Sequence, residues 1–133
     1  MAVSNWFFRL GVLSVLVGMA LGMWMGKEEN FTLSPVHAHL NLLGYVSMFL
    51  YGFFYRIFPI ARHHPMAKLH FALAVLGVAL MAPGLAMMLL GNAQFVPVLM
   101  AGEIAAVLGM LVFTYIVFRS TGERPPASSA PAE

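Results

Sequence analysis

The chain has 133 residues, 61% of them hydrophobic and only 9% charged, with a formal net charge of +2. Soluble domains carry about 25% charged residues. This composition therefore describes an integral membrane protein and excludes a hidden soluble domain or a nucleic-acid-binding surface. Cysteine is absent, which excludes disulfides, iron–sulfur clusters, thiolate-bound metals and covalently attached haem.

Four apolar runs follow one another: Trp6–Trp24, Pro35–Phe58, Leu69–Leu90 and Phe95–Phe118. Each is close to the ~20 residues that cross a hydrocarbon core. The expected fold is all-α, an integral membrane four-helix bundle over residues 1–119. In the first run, Arg9 ahead of an apolar stretch has the look of a secretory signal. No convincing small-x-small cleavage site stands before Lys27, so a retained helix is expected. Gly18, Gly22 and Gly26 form a small-xxx-small stripe that lets another helix approach closely, within the subunit or between subunits.

The second run opens on Ser34-Pro35, a favourable helix start. At 100° per residue one face carries His37, Asn41, Gly44, Tyr45, Met48, Tyr51, Gly52 and Tyr55. The other carries His39 among Leu42, Leu43, Val46, Phe49, Leu50, Phe53 and Ile57. A polar stripe cannot face lipid, so this helix is expected to lie inside an assembly. Ionisable groups inside a span are costly, which makes His37 and His39 functional candidates. Residues i and i+2 point about 200° apart on a helix. One metal ion cannot easily take both, whereas two cofactors or two subunits can.

The loop that follows holds Arg62, His63, His64 and Pro65. The third run has His70, Gly77, Gly84 and Gly91 at seven-residue spacing, a seam for close helix packing. Pro83-Gly84 is expected to kink it. His70 reads either as an interfacial histidine or as a further ligand. The fourth run carries Glu103, at a depth close to that of the two histidines. It can fix a ligand histidine's tautomer, carry a proton, or sit protonated at a helix contact. The Pro-, Ala- and Ser-rich tail 120–133 is expected to be a disordered cytoplasmic tail. Arg9, Arg56, Arg62, Lys68, Arg119 and Arg124 gather on one side. The positive-inside rule therefore sets both termini in the cytoplasm of a bacterial-type inner membrane, with His37 and His39 near the outer surface.

No nucleophile set, phosphate loop or zinc spacing is present. The chemistry that suits opposite-facing intramembrane histidines is axial ligation of a non-covalent b-type haem. The run His37-Ala-His39-Leu-Asn41-Leu-Leu-Gly44 resembles the His-x-His helix of subunit I in haem–copper oxidases. In that family one histidine of the pair ligates the high-spin haem and the other the low-spin haem across the helix. The resemblance implies that this chain is one four-helix arc of a three-arc arrangement. A homotrimer would restore the full set, with a dimer as second choice. His63 and His64 are similar to the family's paired copper histidines but fall on the cytoplasmic side, so no complete oxygen-reducing site is visible. The expected function is membrane haem binding through His37 and His39, supported by Asn41, Tyr45 and Glu103, for electron transfer with a redox partner or for redox or gas sensing. An enzymatic, oxidoreductase-like role stays open. The alternatives are a cofactor-free structural or assembly subunit and a small metal or solute carrier.

Overall fold

The computed structural model describes residues 2–122, which form helices joined by short turns, with no strand among the described residues. Helix α1 spans Val3–Glu28. The next stretch is helical without interruption but changes pitch twice. Helix α2, Ser34–His39, passes into a π-helical stretch, Leu40–Ser47, and then into α3, Met48–Ile57. These three segments are called the composite helix below. A single turn, α4 (Pro59–Arg62), leads to α5 (Ala67–Leu89), and a 3₁₀ turn, Ala93–Phe95, leads to α6 (Val96–Ser120). Three stretches, Val3–Glu28, Ala67–Leu89 and Ala93–Ser120, are long and apolar enough to cross a membrane. That is the signature of a membrane protein. The tail expected over 120–133 lies, from residue 123 onward, outside the described residues.

Local chemistry sets the ends. Phe58, held extended ahead of Pro59 (φ −105°, ψ 94°), stops the composite helix as a residue before proline does. At the end of α5, Gly91 adopts φ +90°. The Gly91 N–H donates to the Met88 carbonyl at 3.0 Å and the Asn92 N–H to that of Met87 at 2.9 Å, the paired bonds of a Schellman cap. Gly91 therefore ends the helix and does not extend the glycine seam: no neighbour comes within 4 Å of where its Cβ would be. Helix α5 runs on through Pro83, whose side chain is exposed while Ala82 and Gly84 beside it are buried.

The helices pack in two close pairs joined through the composite helix and α5. In the α5–α6 pair the backbones nearly touch. A Cβ on Gly84 would lie 2.6 Å from the Leu99 nitrogen, one on Gly77 3.1 Å from the Ala106 Cα, and one on Gly102 would collide with the Met81 nitrogen. In the pair formed by α1 and the composite helix, glycines seat side chains. Gly11 lies under Phe49, Gly18 under Asn41 and Gly22 under His37, while on the facing helix Gly44 lies under Ser14 and Gly52 under Phe8. Gly26 has nothing within 4 Å, so the stripe on α1 is a seat for its own neighbour except at its last glycine. Two buried clusters fill the interior. One is aliphatic, with Val36, Leu40, Met81, Leu85 and Leu99. The other, towards the opposite end, is aromatic and centred on Phe7, Tyr51 and Tyr55.

Gly84→Val should destabilise the protein by about 1–3 kcal/mol through overpacking, because the clash is with backbone that cannot move aside. Gly26→Ala should leave stability unchanged or raise it by up to about 1 kcal/mol. Unfolding in mixed detergent micelles followed by circular dichroism measures both.

Candidate functional site

The composite helix divides its two histidines between opposite surfaces. His37 turns inward against α1. Its Nδ1–H donates to the Gly18 carbonyl at 2.8 Å. A carbonyl can only accept, so Nδ1 carries the proton and Nε2 is left as an acceptor. The Asn41 side-chain amide fills that role, donating to Nε2 at 3.0 Å from one helical turn further on. Both ring nitrogens are thus engaged, and the glycine at position 22 makes room for the ring, whose Cε1 lies 2.8 Å from where a Cβ would be. The Asn41 Oδ1 is buried against Gly18 without a hydrogen-bond partner among the described residues. The structure therefore brings together His37, Asn41 and Gly18 as a polar clamp between two helices.

His39 turns the other way. Its Nδ1–H donates to the Pro35 carbonyl at 2.7 Å, one turn back on its own helix. This bond fixes the tautomer and leaves the Nε2 lone pair directed away from the backbone partner, as in metal-ligating histidines whose second nitrogen is tied to a carbonyl. The ring is half-buried and shares its face with Leu42, Val46, Leu50, Phe53 and Ile57, all exposed. The π-helical stretch begins at the next residue, Leu40, and is closed at its far end by the Ser47 hydroxyl, which donates to the Leu42 carbonyl at 2.9 Å, five residues back. Such turns inside α-helices are frequent at functional sites. A uniform helical projection contains no signal for it.

The other candidates stand apart. Tyr45 is half-buried and packs edge-on to Phe49, with ring centroids 4.8 Å apart. Glu103 does not join either histidine. It is exposed on the outward face of α6, in line with the exposed Met100 and Val107. His64 accepts the Met66 N–H through Nδ1 at 3.2 Å, and His63 accepts from the Arg62 guanidinium at 3.3 Å. No group of three or more histidine, aspartate or glutamate side chains able to hold a metal ion occurs among the described residues.

His70 is not the surface residue that its place near a helix end suggests. It is fully buried, not interfacial. Its Nδ1 pairs with the Tyr55 hydroxyl at 2.9 Å. The ring stacks on Phe113 (centroids 4.9 Å, 25°) and meets the edge of Tyr51 (4.5 Å, 80°), with Phe7 at 5.2 Å. Its Nε2 has no partner among the described residues. A cavity of about 20 Å³ lies beside it, lined in part by Tyr51 and Ser47, a volume sufficient for one water. The available signal was Tyr51 and Tyr55 on the stripe that faces inward: buried hydroxyls need partners, and a histidine near the start of the next helix is one.

Comparison with family models, with curated proteins and with solved structures found no match to this chain.

Tyr55→Phe should cost about 1–3 kcal/mol, because it strands the buried His70 Nδ1. Tyr45→Phe, at a half-buried position, should stay within about 0.5 kcal/mol of the unaltered protein. Parallel unfolding curves in detergent check the difference.

Proposed function

We propose that the protein is a membrane-embedded b-type haem-binding protein whose ligand helix resembles that of haem–copper oxidase subunit I. The observation that carries the reading is the state of His39: Nδ1 tied to the Pro35 carbonyl, Nε2 directed outward, on a face of exposed apolar side chains. An imidazole held in this way is prepared to bind iron, and a porphyrin ring needs apolar surface beside its ligand. The donor set fits one axial histidine per chain. His37 is a poor second ligand, since binding iron would cost it the Asn41 bond and a seat built for it by Gly18 and Gly22. When bound, haem supplies one-electron chemistry, which suits electron transfer with a redox partner or redox and gas sensing. The part played by this chain is to fix the His39 tautomer, cover one side of the ring and exclude water.

A four-span bundle in a bacterial-type inner membrane, with the termini on the cytoplasmic side, is the arrangement this reading needs. One chain covers a haem on one side only. The uncovered face of the composite helix and the exposed carboxylate of Glu103 on α6 both favour a homo-oligomer, in which a second copy shields them from lipid. A trimer is the first choice and a dimer the second. The cofactor-free reading, a structural or assembly subunit, is favoured by the His37 clamp, which has a complete structural role without any ligand.

Purified protein loaded with haem should show a b-type reduced-minus-oxidised spectrum. His39→Ala should remove most of the bound haem. His37→Ala should keep the haem but lose stability, by about 1–3 kcal/mol for the broken clamp. Haem retained in full by His39→Ala would overturn the assignment. Absence of haem from the unaltered protein, even after loading, would leave the cofactor-free reading standing. Native mass spectrometry in mild detergent should show an oligomer, and monomer alone would count against the shared face.

A further inference from the structure

At the end of the molecule opposite His39, an open cavity of about 820 Å³ lies between the start of α1, the α4 turn and the start of α5. Its lining has two characters. Val3, Trp6 and Phe71 make an apolar wall, and Arg62, His63 and Lys68 make a cationic rim. The Arg62 guanidinium donates to His63 at 3.3 Å, which groups the rim side chains. Among the described residues no carboxylate lines the cavity. The acids among the described residues are Glu28 and Glu29, at the far end of α1, and Glu103, in the outer part of α6. Arg56 and Arg119 stand at the same end as the rim, in the last turns of α3 and α6. A basic surface with no acidic neighbour among the described residues, set where membrane-length helices end, suits the headgroup layer.

We infer that this cavity binds one anionic phospholipid of the surrounding leaflet, its phosphate on Arg62 and Lys68 and the upper part of an acyl chain along Val3, Trp6 and Phe71. Charge complementarity selects the headgroup, since basic segments beside a membrane attract anionic lipids. The apolar wall selects a lipid over a soluble anion, because a free phosphate would leave Trp6 and Phe71 unused. Trp6 also marks the depth, as tryptophan gathers at the membrane interface. The volume is within the range of cavities that take small molecules, and suits a headgroup with part of a chain.

The chain has two tryptophans, Trp6 and Trp24. Trp24→Phe leaves Trp6, in the cavity wall, as the sole reporter. The experiment reconstitutes this variant into phosphatidylcholine vesicles that contain either brominated phosphatidylglycerol or equally brominated phosphatidylcholine. Fluorescence is compared with unbrominated vesicles of the same composition. The expected result is preferential quenching by the glycerol lipid, an apparent preference of about tenfold. Adding Arg62→Gln and Lys68→Gln should bring the preference close to one. Exchanging the two cations, Arg62→Lys with Lys68→Arg, should preserve it, and so should Arg119→Gln, which alters a cation outside the cavity. Equal quenching by the two lipids overturns the proposal. So does a preference that survives loss of both cations, or one that soluble glycerol phosphate abolishes, since the last result describes a site for a free anion. A double glutamine variant that does not fold moves the decision to the unaltered cavity, where selective quenching supports the site and equal quenching rejects it.

Discussion

His37, seated over Gly22 and bonded to the Gly18 carbonyl, locks the composite helix against α1 and sets the direction of its other side chains. Inside a membrane no hydrophobic force draws one helix to another, so close packing and hydrogen bonds must do so. Here the two operate together. Glycines on α1 let the composite helix approach until the His37 ring reaches a backbone carbonyl 19 residues away in sequence, and Asn41 closes the remaining nitrogen. Ser14 and Phe8 return the arrangement by seating over Gly44 and Gly52. Once His37 is fixed inward, helical geometry turns His39 outward. Pro35, which has no N–H of its own and opens the helix, supplies the carbonyl that holds the His39 ring.

The two ends of the molecule are chemically distinct. The His39 end is aliphatic inside, with Val36 and Leu40 packed on Met81, Leu85 and Leu99. The basic end is aromatic inside. Phe7, Tyr51, Tyr55 and Phe113 enclose His70, and among the described residues the imidazole hydrogen-bonds to the Tyr55 hydroxyl alone. Burial makes each group of that pair necessary to the other, and the pair holds α5 to the composite helix where α4 interrupts the chain. The cationic rim of Arg62, His63 and Lys68 stands just outside this aromatic core.

Much of this was legible in residue patterns. Hydropathy alone gives an all-helical chain with membrane-length elements, because a membrane leaves the backbone few alternatives. The stripe from His37 through Asn41 and Gly44 to Tyr55 does face inward, since polar and small residues at helical spacing have no other tolerable direction. The opposition of His37 and His39 follows from the i, i+2 angle alone. What stayed hidden depends on partners that no local pattern encodes. Nothing near His37 states that its acceptor is the Gly18 carbonyl. Nothing in Leu40–Ser47 announces a π-helical pitch. Position along its run suggests for Glu103 a depth close to that of the histidines, but depth carries no azimuth, and Glu103 is exposed on α6. Gly91 keeps the spacing of Gly77 and Gly84, yet its left-handed backbone makes it a cap. His70 sits within one turn of a helix start, which on a single helix reads as a surface. It is buried because α1, α3 and α6 bring Phe7, Tyr51, Tyr55 and Phe113 against it.

Under the proposed function, His39 offers an outward-facing imidazole to haem iron while His37 holds helices together. Chemical rescue tests it most directly. His39→Gly deletes the imidazole and opens space on an accessible face, so free imidazole in solution can take its position. This variant should lose the b-type spectrum on loading with haem and regain it when imidazole is added. A variant that keeps the spectrum of the unaltered protein without imidazole would contradict the claim.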